Sequence, residues 1–202
     1  MAKTSGSTRT TPKGPKAGIE GRDTNYKGSI RNVGGIRDIK DDTARLAVQR
    51  AVSEFAKQYG LPTREVKIAD LQGVYGIGGA SGIYLNRRFY NNPASILAAK
   101  AASYKSGWSV PTTAPLRHTV IHELAHSAWQ SGRRANAKLT KGIQALWTRY
   151  KAEVRAGKNP IGKYATSNID EFWAEGITQA TIGRKQTYYS RKLKALLKKY
   201  GQ

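Results

Sequence analysis

"HTVIHELAHSAW", residues 118–129, is the stretch on which the reading of this chain turns. The 202 residues contain three histidines, and all three fall inside it, at His118, His122 and His126. Val120, Ile121, Leu124, Ala125 and Trp129 give it an apolar side at helical spacing, and Pro115 precedes it as a helix-starting residue. The spacing therefore predicts a helix over about 114–130, closed by Gly132. On a helix, four residues turn about 400°, so the imidazoles of His122 and His126 project from one face, one above the other. Two nitrogens so placed can reach one metal ion at about 2.0–2.1 Å. Glu123 follows the first of them and can reach a water on that metal without binding the metal itself. This is the H-E-x-x-H arrangement of zinc peptidases, in which the ion acidifies the water and the glutamate takes its proton. His118 is a support or substrate-side residue on the same face, or a structural histidine near the helix start.

With no cysteine in the chain, thiolate ligands, disulfides and thiol nucleophiles are excluded. With no histidine left, a third zinc ligand must be a carboxylate. Beyond His126 the acidic residues are Glu153, Asp170, Glu171 and Glu175. Glu153 reads as a surface charge on a basic helix. The other three sit in YATSNIDEFWAEGITQA, residues 164–180, where Glu171 and Glu175 share one helical face. One alternative stays open: Asn168 with Glu171 three residues on is also a capping box. If Glu171 folds back to cap, Glu175 is the fallback ligand.

"HELAH" and "YATSNIDEFWAEG" together resemble the zinc-binding catalytic domain of the anthrax lethal factor family, and the resemblance covers roughly 115–180. These are zincins with glutamate as third ligand, and similar domains occur in phage and mobile-element proteins. The resemblance implies one Zn2+ per chain held by His122, His126 and Glu171. It implies that Glu175 hydrogen-bonds a ligating histidine, and that Tyr164 points at the site and stabilises the oxyanion. More weakly, "SGIYLNRRF" resembles the zincin edge strand that lays a peptide antiparallel to itself, which assigns Gly82, Ile83, Tyr84 and Leu85 to substrate binding. The fold implied is α+β and zincin-like, with a small twisted sheet packed on the HExxH helix and a mostly helical C-terminal half.

The rest of the chain is consistent with one domain and basic ends. Residues 1–28, rich in Ser, Thr, Gly, Pro and Lys, read as a basic disordered or docking arm. The domain is expected over 29–183 and a basic C-terminal helix over 184–202. Residues 29–40 read as a connector or short edge element. An amphipathic helix is expected over 42–59, with Leu46, Val48, Ala51, Val52, Phe55 and Tyr59 as its apolar stripe. A strand is expected at 65–71. GVYGIGGASG, 73–82, lacks the third glycine of the dinucleotide fingerprint, because position 81 is Ser81, and reads as a flexible turn. GIYLNRRFY, 82–90, reads as an exposed edge strand with Ile83, Leu85 and Arg87 on one face. Further helices are expected across PASILAAKAASYKSG, at 135–155, at about 169–182 and at 187–200, with a loop at 156–167.

The formal charge is +22. Residues 1–40 contribute +6, 41–183 contribute +9 and 184–202 contribute +7. Such a field attracts polyanions. A second function class follows: a basic nucleic-acid- or virion-associated phage or mobile-element protein, in which the zincin fold is auxiliary or inactive. DNA or another polyanion would meet the basic tails. A toxin acting on a host protein is a third. No apolar run is long enough to span a membrane and no secretory signal is visible, so the expected location is the cytoplasm of the producing cell, a virion, or a recipient cell after delivery.

Overall fold

The computed structural model describes residue 26 and residues 28–80 and 82–201, and the expected arm therefore lies almost wholly outside the described residues. The order of elements is β1 (Ile30–Gly35), α1 (Asp42–Tyr59), β2 (Glu65–Leu71), β3 (Gly76–Gly79), β4 (Gly82–Asn86), α2 (Arg87–Tyr90), α3 (Pro93–Lys105), α4 (Pro115–Ala135), α5 (Ala137–Arg155), α6 (Ile169–Ile182) and α7 (Tyr188–Tyr200). This is an α+β chain with one small mixed sheet and a mostly helical remainder. No helix among the described residues is long and apolar enough to cross a membrane.

The four strands lie in the order β1-β2-β4-β3. β1 pairs antiparallel with β2, β2 pairs parallel with β4, and β4 pairs antiparallel with β3. Alternation divides the sheet into two faces. Val66, Ile68, Ile83 and Leu85 join the main core with the helices. Ala69, Leu71, Val74 and Ile77 form a smaller cluster, against which Tyr26 and Tyr84 pack.

Two expectations about the sheet are corrected. GVYGIGGASG is not simply a turn, because Gly76–Gly79 is the edge strand β3. Gly76 answers to a close approach, whereas Gly73, at φ 71°, serves the bend before the strand. GIYLNRRFY is not an edge strand, because β4 has a neighbour on each side and stops at Asn86. Asn86 is buried; its amide donates to the carbonyls of Leu71 and Val74, and its Oδ1 accepts from Arg88 N, which caps α2. Arg87 thus leaves the strand face and pairs with Asp70 at 3.5 Å.

α1 starts on Asp41, whose carboxylate accepts from Ala44 N at 2.8 Å, and ends on Gly60 at φ 66°. Its inner face is Ala44, Val48, Ala51, Val52, Phe55 and Tyr59. Leu46, expected in that stripe, is 50% exposed, because it lies two residues round from Ala44 and from Val48.

α4 forms the middle of the molecule and packs against α1, α6 and the sheet. Val120, Ile121, Leu124, Ala125, Ala128 and Trp129 are buried in the core. Each aliphatic side chain of the size of Val, Ile or Leu contributes about 1.5–3 kcal/mol by that burial. α4 does not close at Gly132 but runs on to Ala135. A Cβ at 132 would stand 2.8 Å from Leu139 Cδ2, so that glycine serves the approach of α5. Two indole hydrogen bonds lock α6 onto α4: Trp173 Nε1 donates to Ala125 O at 2.7 Å, and Trp129 Nε1 donates to Asp170 Oδ1 at 2.6 Å. They fix the height at which Glu171 and Glu175 face the histidines.

Candidate metal centre

His122 and His126 direct their Nε2 atoms at each other across 3.0 Å. Glu171 Oε2 completes a triangle, 3.2 Å from His122 Nε2 and 3.4 Å from His126 Nε2. Metal–ligand bonds of about 2.0–2.1 Å in a tetrahedron separate the ligand atoms by about 3.3–3.4 Å. The three donor atoms stand close to that spacing, and their residues are 0–1% exposed. The triangle is therefore the right size and chemistry for a metal ion.

The capping alternative for Glu171 is resolved by Asn168. Asn168 Oδ1 accepts from Glu171 N at 2.9 Å, so the backbone of Glu171 satisfies the cap. The Glu171 carboxylate goes to the histidines and not back to the chain. Burial pushes that carboxyl up, but the two imidazoles beside it outweigh burial, and the result is a lowering to about 2.

Behind His122 runs a chain of polar contacts. His122 Nδ1 lies 3.1 Å from Glu175 Oε1, and His118 Nε2 lies 3.3 Å from the same oxygen. His118 Nδ1 meets Tyr104 Oη at 3.2 Å, and Tyr104 Oη meets Thr112 Oγ1 at 2.9 Å. One assignment satisfies every link. Thr112 donates to Tyr104, Tyr104 donates to His118 Nδ1, and His118 and His122 both donate to Glu175. That leaves His122 Nε2 with its lone pair, aimed into the triangle with Glu171. Burial would raise the Glu175 carboxyl, but the histidines outweigh it and hold it well below the usual carboxylate range.

His118, His122 and Glu175 form a second triad of metal-binding type, sharing His122 through its opposite nitrogen. The contact from Tyr104 and the shared Glu175 Oε1 account for the histidine nitrogens of that triad by hydrogen bonding, so the Glu171 triangle is the better metal centre.

Glu123 is fully buried on α4. A Cβ built at Gly76 would stand 2.9 Å from Glu123 Cγ, so β3 passes directly over this carboxylate. Tyr164 belongs to a 3-10 turn, Tyr164–Thr166, and its ring stacks on His122 with centroids 5.8 Å apart. Trp108 stacks on its ring at 5.5 Å, and Tyr164 N donates to Trp108 O at 2.8 Å.

The structure thus gathers His118, His122, Glu123, His126, Tyr164, Glu171 and Glu175 at one place. It does not make the Gly82–Leu85 backbone available to a peptide, because that strand is already paired on both sides. Among the described residues, the sheet edge with no paired strand beside Glu123 is β3. Tyr104, Gly76 and Trp108 escaped sequence reasoning. The phase of the histidines gives no hint of Tyr104 or Trp108, and the glycine content of 73–82, read as a turn, is the one signal that could have found Gly76. Compared with protein-family models, curated proteins and solved structures, the chain matches none.

Proposed function

We propose that this chain is a zincin-like, zinc-dependent metallopeptidase that hydrolyses peptide bonds. The observation carrying the reading is the triangle of His122 Nε2, His126 Nε2 and Glu171 Oε2 at 3.0–3.4 Å, with Glu123 one residue from the first ligand. Two imidazoles and one carboxylate are the donor set of a catalytic zinc that keeps a position open. Bound there, zinc supplies Lewis acidity, acidifying a water and polarising the scissile carbonyl.

The chain's own residues do the rest. Glu123 accepts the proton of the attacking water and returns it to the leaving amine. The Tyr164 phenol, held by Trp108 and His122, donates to the oxygen that gains charge. Glu175 fixes the tautomer and angle of His122, and His118 and Tyr104 fix Glu175. The edge of β3, unpaired among the described residues, is the place for an extended substrate, which would add as a further strand. Like the anthrax lethal factor family that the sequence resembles, the site would take its third ligand from the second helix, here α6.

The test is cleavage of a mixed peptide library by zinc-loaded protein, with Glu123→Gln beside it. Cleavage by the wild type that drops at least about 1,000-fold in Glu123→Gln supports the reading. No cleavage by either, or equal cleavage by both, removes it.

One observation favours a second role. Arg191, Lys192, Lys198 and Lys199 are exposed on α7, which carries no acidic residue. We propose polyanion contact through this face, compatible with a nucleic-acid- or virion-associated setting. Affinity for DNA that does not fall steeply with salt would contradict it.

A further inference from the structure

Lys100 on α3 is 3% exposed. Its Nζ lies 5.8 Å from the centroid of the Tyr75 ring. A ring face attracts a cation but does not replace the water or counter-charge that a buried ammonium gives up. An opposite charge has to accompany it.

Among the described residues three acidic side chains are buried: Glu123, Glu171 and Glu175. Glu171 turns to His122 and His126, and Glu175 to His118 and His122. Of these three, Glu123 is the candidate counter-charge. Two independent relations bring it to the lysine's side of α4. From the sheet side, Tyr75, the ring beside the ammonium, is followed by Gly76, which lies against Glu123 Cγ. From the helix side, Tyr104 is four residues after Lys100 and shares its face of α3. Tyr104 meets His118 on α4, one turn before His122. Lys100 and Glu123 therefore border the same space between α3, α4 and β3.

We propose that Lys100 is a positioning residue whose ammonium is the buried counter-charge of Glu123. A carboxylate one residue from a metal ligand can swing onto the metal and block the open position. An ammonium on its other side gives that carboxylate an anchor away from the metal, and so keeps it available to a water proton. The functional half of this inference rests on Glu123 being the proton acceptor of the proposed peptidase. The pairing itself does not.

The experiment is a double-mutant cycle in thermal unfolding of the full chain, loaded with zinc: wild type, Lys100→Met, Glu123→Gln and the double variant. Lys100→Met alone should lower Tm by about 10 °C, and less than half of that in the Glu123→Gln background. Equal losses in both backgrounds would overturn the pairing. If Lys100→Met does not fold, recovery of folded protein on adding Glu123→Gln supports the pair, and failure to recover counts against it. Peptide cleavage gives the second readout. Lys100→Arg should keep most of kcat, whereas Lys100→Gln should lose at least about tenfold in kcat with KM and zinc content unchanged. A loss in KM alone would contradict a role through Glu123. A wild type without peptidase activity would remove the proposed function, and the unfolding cycle would still decide the ion pair.

Discussion

Gly76 leaves no room for a side chain against Glu123: a methyl group added at 76 would sit 2.9 Å from Glu123 Cγ and 3.2 Å from Glu123 Oε1. An edge strand therefore bears directly on the carboxylate that follows His122. Gly76→Ala should push that carboxylate aside without touching the histidines. The expected outcome is a loss of about 1–3 kcal/mol in stability from overpacking. Zinc content should be unchanged, and kcat should fall at least about tenfold. Calorimetry, metal analysis and peptide hydrolysis on the same preparation check all three; unaltered kcat would show that Glu123 does not need its present position.

Glu175 reaches the metal centre through His122 Nδ1, at 3.1 Å. Glu175→Gln should weaken zinc affinity about 10–100-fold while leaving a site that still fills at high zinc. Tyr104→Phe, two links further out, should cost less than Glu175→Gln. Competition with a chromophoric chelator measures both, and a larger loss in Tyr104→Phe would break the proposed order of the chain.

His122, His126 and Glu171 are 0–1% exposed, so a chelator reaches a bound ion only by the same local opening that admits a peptide substrate. Removal of zinc should therefore become independent of chelator concentration once opening limits it. A rate that keeps rising in proportion to chelator would mean the centre is accessible as it stands. Removal should also lower Tm, because an ion that binds only the folded chain stabilises it by mass action.

How much of this was legible in the sequence varies with the range of the interaction that decides each feature. The helix of His118–Trp129 is written locally, in apolar phase and histidine spacing, and so is the polar face that brings Glu171 and Glu175 forward on α6. Asn168 and Glu171 were ambiguous, because one pattern serves both a cap and a ligand. Only the side-chain direction, 3.2 Å from His122, separates them. β3 was missed because glycine signals a turn and a close approach alike. The place of β4 inside the sheet depends on its parallel pairing with β2, which local alternation does not encode. Lys100 and Tyr104 lie on an Ala-rich helix whose sequence has no marked apolar face, so nothing in α3 announced which side meets the histidines.

Away from the centre, Tyr59 offers a pH test. It is 2% exposed with its hydroxyl 2.7 Å from Thr181 Oγ1, and burial pushes it up to about 12, against a smaller opposing effect of Thr181. A phenol raised on folding stabilises fully below pH 10, its ordinary value, and that stability disappears as pH rises through about 12. The loss should amount to about 2–3 kcal/mol. Urea unfolding between pH 9 and 12, on wild type and Tyr59→Phe, should show a shallower decline in the variant. Parallel declines would assign the alkaline sensitivity elsewhere.

The most direct test of the metal centre is the zinc content of purified protein, wild type beside Glu171→Gln and Glu175→Gln. One equivalent in wild type is expected, lost in Glu171→Gln and only weakened in Glu175→Gln. A wild type that carries no zinc and takes none up, or a Glu171→Gln variant that still holds a full equivalent, would contradict the assignment of His122, His126 and Glu171 as its ligands.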